Sequence, residues 1–229
     1  QVTVSGNTQV DAHIYGGRIE GEGSASGNSV VVSDAVKVKN VYGANVQQGN
    51  AAGNTVMIRG GEISGTVDGG YAINGSANDN RVLMSDGSVQ WNVEGGNVGV
   101  RGSAVGNRVM VSGGEVARIV RGGVVTYGTS SDNVVTVTDA QVGEHVTGGY
   151  VYDGTASGNS VTVSGRASVE QNVTGGYIGN EGKSIGNLVT IADNATVNGD
   201  IYGGYVLDSS GTATEGDVTG NTVTLATGA

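Results

Sequence analysis

Asp68 and Glu94 each stand immediately before a Gly-Gly pair, 26 residues apart, and Arg121 holds the same place one unit further on. If such places stack on successive turns of a coil, the two carboxyls lie about 5 Å apart, a separation that suits retaining glycoside chemistry. Trp91, close before Glu94, adds a ring on which a sugar could stack. A column of mixed charge is also the simplest decoration of a solvated face, and nothing in the sequence desolvates the pair. The expectation is a solvated column without catalytic residues, in a chain that is not an enzyme.

Binding chemistry has two further carriers. Tyr150, Tyr177 and Tyr205 follow Gly-Gly in consecutive units, with Tyr71 alone in the same column. Such a ladder either binds glycans through its ring faces, together with Trp91, or only stabilises a sheet. The second carrier is a row formed by Val31, Met57, Leu83 and Met110, at an outward place of the unit and flanked by Arg59, Arg81 and Arg108. An apolar stripe edged with guanidinium groups has the composition of a protein interface, or of a face covered by another segment or a neighbouring chain.

Metal and cofactor chemistry has no carrier. His13 and His145 occupy the same place in the first and sixth units, about 24 Å apart at 4.8 Å per coil, so they cannot share an ion and read as solvated side chains. No unit has the Gly-Gly-x-Gly-x-Asp spacing of calcium-binding solenoids, and no phosphate-cradling G-x-x-x-x-G-K-[ST] loop occurs. No cofactor is expected.

What positions these residues is a repeat. The chain divides after a recurring Asn, at Asn28, Asn54, Asn80, Asn107, Asn133, Asn159, Asn187 and Asn221, with a period of 26 to 28 residues and one longer last unit. Each unit opens on an alternating segment such as Val134–Thr138, whose second and fourth places are aliphatic and point inward. A second apolar pair follows, for example Val142 with Val146, and Gly-Gly then turns the chain. A third segment carries another inward aliphatic place at Ile19, Val46, Val98, Val125, Val151, Ile178 or Val206. Three short strands per unit make one coil, and the Asn column can hydrogen-bond along the axis. The fold expected is all-β, a single parallel β-helix or β-solenoid over residues 1–229, with about nine coils and a rod length of about 40 Å. Two departures are expected as surface bulges: a shifted register around Lys37 and an insertion around Thr214 to Thr219.

Composition agrees. Forty-four Gly with no Pro describe a uniform set of tight bends, and the absence of Phe with a single Trp leaves small β-branched side chains to fill a narrow interior. Cys is absent, which removes disulfides and Cys-ligated metals. The net charge of -10 argues against nucleic-acid and anionic-membrane partners, and no apolar run approaches the roughly 20 residues that span a bilayer. The chain begins at Gln1 and starts and stops on the same strand of the repeat, as an internal stretch of a larger array would.

The stretches Gly106–Gly114, Val142–Tyr150 and Gly154–Asn159 resemble the repeats in passenger domains of bacterial autotransporters. The likeness is one of style and covers the whole chain. It implies a right-handed parallel β-helix, extracellular at the bacterial cell surface or secreted, acting in adhesion or aggregation with a protein or glycan on another cell surface, or by self-association. It carries over no site residue. The alternatives are a carbohydrate-active or carbohydrate-binding solenoid and a self-assembling structural fibre; an ice-binding Thr array is broken by Val31, Met57, Leu83 and Met110.

Overall fold

A computed structural model of the chain describes residues 1–207 and 217–226. These residues form a parallel β-solenoid in which every pairing between coils is parallel, and no helix occurs among them. One coil consists of the strands Val134–Thr138, Gln141–Val142 and Val146–Ser157. In the first coils these run together into Gln9–Ser26 and Ser29–Ala52. Nine opening strands, from Val2–Val4 to Thr222–Ala226, enclose eight complete turns rather than nine, because the last closes no further turn among the described residues.

Alternation in the opening strand does what period two demands. Its second and fourth places, Val56 and Ile58 in one coil and Val82 and Met84 in the next, are fully buried and stack in register. They meet the second apolar pair, for example Ile63 and Val67, in a continuous column of aliphatic side chains along the rod. A smaller core lies on the other side, built from Val98, Val125, Val151 and Ile178 of the third segment with Ala77, Ala104 and Ala156 of the closing segment.

The Asn column runs along the rod between these apolar groups. Asn54, Asn80, Asn107, Asn133, Asn159 and Asn187 are almost wholly buried. Each Oδ1 accepts two hydrogen bonds from the Asn of the preceding coil, as Asn107 does from the backbone N and the Nδ2 of Asn80 at 3.0 and 3.1 Å. Each inner Nδ2 also donates to a backbone carbonyl, that of Ala77 in the case of Asn107. A buried amide with both ends satisfied carries no desolvation penalty, so the column is stable inside a narrow interior.

The ladder is unbroken where Gly-Gly bends the chain. Gly148 and Gly149 lie inside the strand Val146–Ser157, whose ladder to the neighbouring coils continues past them. Their role is close approach. A β-carbon on Gly95 would strike the carbonyl oxygen of Gly122, and one on Gly96 would strike the Asn107 amide. The backbone is thus drawn in against the Asn column, which pinches the cross-section between the two cores. Left-handed backbone marks two further bends, at the residue before each ladder Asn, as Gly158 (φ 62) or Asp132 (φ 56), and after the opening strand, as Asp139 (φ 53) or Gly165 (φ 65).

The departures are local. Around Lys37 the register shifts between Asp34 and Lys37, so that Val38 takes the inward place and Lys37 pairs outward with Glu62 at 3.2 Å. Of the insertion around Thr214 to Thr219, Thr214 lies outside the described residues, while Val218–Thr219 is a strand beside Ser184 and Ile185.

Candidate functional site

Because Gly-Gly is drawn inward, the side chains before and after it lean over the pinch as two walls of a groove along the rod. One wall is the column Tyr15, Tyr42, Asp68, Glu94, Arg121, Thr147, Thr174, Tyr202. The facing wall includes Tyr71, Asn97, Val124, Tyr150, Tyr177 and Tyr205. Contacts cross between them: Asn97 Nδ2 donates to Glu94 Oε2 at 2.5 Å, the Arg121 guanidinium lies 4.7 Å over the Tyr150 ring, and the Tyr42 and Tyr71 rings meet at 6.2 Å.

In the middle of the rod the groove is filled, and this overturns the expectation of a solvated charge column. Asp68 and Glu94 are each only 3% exposed. Glu94 is held by Arg121 Nη1 at 3.3 Å and by Asn92 and Asn97. Burial pushes the Asp68 carboxyl well above the usual carboxylate range, with the adjacent Glu94 charge and a hydrogen bond to it adding to the shift. Burial thus favours the protonated form of Asp68 beside the anchored Glu94, and the pair does not open to solvent. Burial and the neighbouring Asp68 also push the Tyr42 hydroxyl up to about 12.

Beyond Arg121 the groove opens. The wall steps down from Arg121 to the short Thr147 and Thr174 and rises again at Tyr202, which leaves a cavity of about 300 Å3 between them. Tyr150, Tyr177 and Tyr205 form its far side, and His145 and Asn172 its rim. The three Tyr rings stack in register, with centroids 5.4 and 5.3 Å apart and planes within 20°. Stacking closes both faces of Tyr177, and Arg121 covers a face of Tyr150, so the ladder offers ring edges and hydroxyls rather than faces to a ligand. His145 Nδ1 accepts a hydrogen bond from the backbone N of Asn172, and burial lowers its pKa, which keeps the ring neutral at pH 7.

The other sequence candidates lie elsewhere. Thr3, Val31, Met57, Leu83 and Met110 do align in one outward column. Val31, a short side chain beside the longer Met57, is 8% exposed and so drops out of the accessible stripe. Met57, Leu83 and Met110 are half-buried around a depression of about 280 Å3, with Arg59 and Arg81 at its edge. Arg59, Arg81 and Arg108 are exposed and enter no ion pair among the described residues. Trp91 is 52% exposed beneath the Arg118 guanidinium and does not line the cavity. His13 packs near Tyr15 and Tyr42, far along the rod from His145, and no metal-ligating cluster occurs among the described residues.

Sequence reasoning missed the cavity, whose only signal was the drop in side-chain size at Thr147 and Thr174 within a column of large residues. The expectation from sequence that no G-x-S-x-G nucleophile elbow occurs is also corrected, since Gly182–Gly186 has that spacing. Ser184 is fully buried and donates to the Gly176 carbonyl, so that hydroxyl is part of the interior. Comparison of the chain with models of protein families, with curated proteins and with solved structures returns no match.

Proposed function

We propose that this chain is a length of a non-catalytic β-helical scaffold, surface-displayed or secreted like the autotransporter passengers its repeats resemble, that adheres by holding a glycan in its groove. The observation that carries the reading is the cavity over Thr147 and Thr174: it is concave, walled by aromatic edges, and rimmed with hydroxyl, amide and imidazole groups. Arg121 and Tyr202 bound the cavity along the axis, a span that suits one residue of a glycan rather than a long stretch of it. The buried state of Asp68 and Glu94 favours binding over cleavage at that pair, since no substrate bond reaches them. The test is binding of the chain to an oligosaccharide array beside Thr174→Tyr, which fills the cavity. Retention on a subset of glycans that Thr174→Tyr loses supports the reading; retention by both proteins alike refutes it.

A second reading rests on a different observation. The three unpaired guanidinium groups around Met57, Leu83 and Met110 form a cationic, partly apolar face in a chain of net charge -10, which suits an acidic protein partner or an acidic face of a second copy. Light scattering over a concentration series, with Leu83→Glu as comparison, tests the self-association form of this reading.

A further inference from the structure

The class of glycan that fits the groove cavity, which rests on the glycan reading, is set by the balance of donors and acceptors around it. Acidic residues outnumber basic ones by 21 to 11 in the chain, yet among the described residues no Asp or Glu lines the cavity. Three of its polar groups can only donate, those of Arg121, His145 and the Asn172 amide NH2, while its Thr and Tyr hydroxyls can donate or accept. Arg121 gives Glu94 only its Nη1 end. His145 accepts at Nδ1, so its proton sits on Nε2 and is available to donate. Asn172 Oδ1 accepts from the backbone N of Asp200, which leaves the Asn172 NH2 free. The hydroxyls of Thr147 and Thr174 make no side-chain hydrogen bond among those found in the described residues, whereas the Tyr202 hydroxyl is already committed to Asp200 at 2.8 Å.

A site with a permanent cation at one end, several groups that can only donate and no carboxylate among its described lining asks its ligand to bring acceptors, and an ionised carboxyl meets such donors best because charge assistance strengthens each bond. Glu94 offsets the Arg121 charge from a buried place outside the cavity lining, which also holds the guanidinium in position. A volume of about 300 Å3 stands at the small end of ligand pockets and fits one sugar ring with its substituents. We infer that the cavity between Arg121 and Tyr202 takes a single carboxylated sugar residue, with its carboxylate at the Arg121 and His145 end and its ring against Thr147 and Thr174.

Two sources share that chemistry, an internal uronate of a polysaccharide and a terminal sialic acid. Isothermal titration of the chain with a glucuronate-containing tetrasaccharide, its carboxyl-reduced counterpart and a sialyl-terminated trisaccharide separates them. The expected result is that one acidic ligand binds about tenfold or more tighter than the carboxyl-reduced chain, and whichever acid does so identifies the source. Asn172→Asp preserves the bond to the Asp200 amide but puts a carboxylate at the rim, and should abolish that preference while sparing the neutral chain. Equal binding of the acidic and carboxyl-reduced chains by the wild-type protein overturns the inference and leaves the glycan reading standing. No binding of any of the three, together with no retention on the wider array, removes both.

Discussion

Replacing Asn107 by Ala tests the reasoning about the interior directly. The Asn107 side chain takes part in four hydrogen bonds: it accepts from the backbone N and the Nδ2 of Asn80 and donates to the Ala77 carbonyl and to Asn133 Oδ1. Ala removes all four without enlarging the residue against Gly95 and Gly96. Asn80 Nδ2 keeps the Ala51 carbonyl, and Asn133 Oδ1 keeps the Asn107 backbone N, so those groups stay satisfied. The backbone N–H of Asn80 loses its acceptor in a residue 1% exposed, and an orphaned buried donor costs about 1–3 kcal/mol. With the net loss of the remaining bonds, the destabilisation comes to about 3–6 kcal/mol, a large share of the 5–15 kcal/mol typical of a folded domain. Urea denaturation reads the total. Amide hydrogen exchange reads the mechanism, because the Asn80 amide should lose protection while the Asn54 amide, which donates to Asn80 Oδ1, keeps its own. A loss below about 1 kcal/mol, or equal effects on the two amides, would refute the ladder as a source of stability.

Two further outcomes follow from packing and charge. The folded chain keeps the Asp68 proton after the unfolded chain has released its own near pH 4, so stability should fall as pH rises from about 4, by at most about 1.4 kcal/mol per unit, until Asp68 ionises in the folded state. Asp68→Asn should flatten that slope, and urea midpoints at several pH values check it; a slope unchanged by the substitution would show that another group is responsible. Gly122→Ala should cost about 3 kcal/mol or more, because the new methyl meets the Gly148 carbonyl and the Asn133 β-carbon, both fixed, and thermal melting reads the loss.

The inward residues were legible because they repeat. Val at the second and fourth places of the opening strand, Asn at the end of each unit and the shifted register at Lys37 can each be read by laying units on one another, and in a parallel coil that alignment is the contact map. The outward residues were legible only as columns. That Thr3 stacks on Val31 follows from the period, but that Val31 is closed while Met57 is half-open depends on the lengths of neighbouring side chains. The burial of Asp68 and Glu94 was not legible, since composition marks Gly-Gly as a bend without showing how closely the backbones approach there. The approach of Gly95 to Gly122 and of Gly96 to Asn107 is what makes that bend a pinch. The cavity depends on that pinch, so it was hidden for the same reason.

The Asn column has a consequence for how such a chain changes over time. Every junction along it is the same joint, with Oδ1 facing one way and Nδ2 the other, so the joint does not record which coil stands beside which. Removing Asn107 to Asp132 would leave Asn80 facing Asn133 across the same pair of hydrogen bonds that Asn80 makes to Asn107 and Asn107 makes to Asn133. Length is thus free to drift by whole coils through duplication and deletion, while the groove lining, which differs from coil to coil, is shuffled like beads on a string. A lineage built on this joint can lengthen its reach or swap its grip without redesigning its interior.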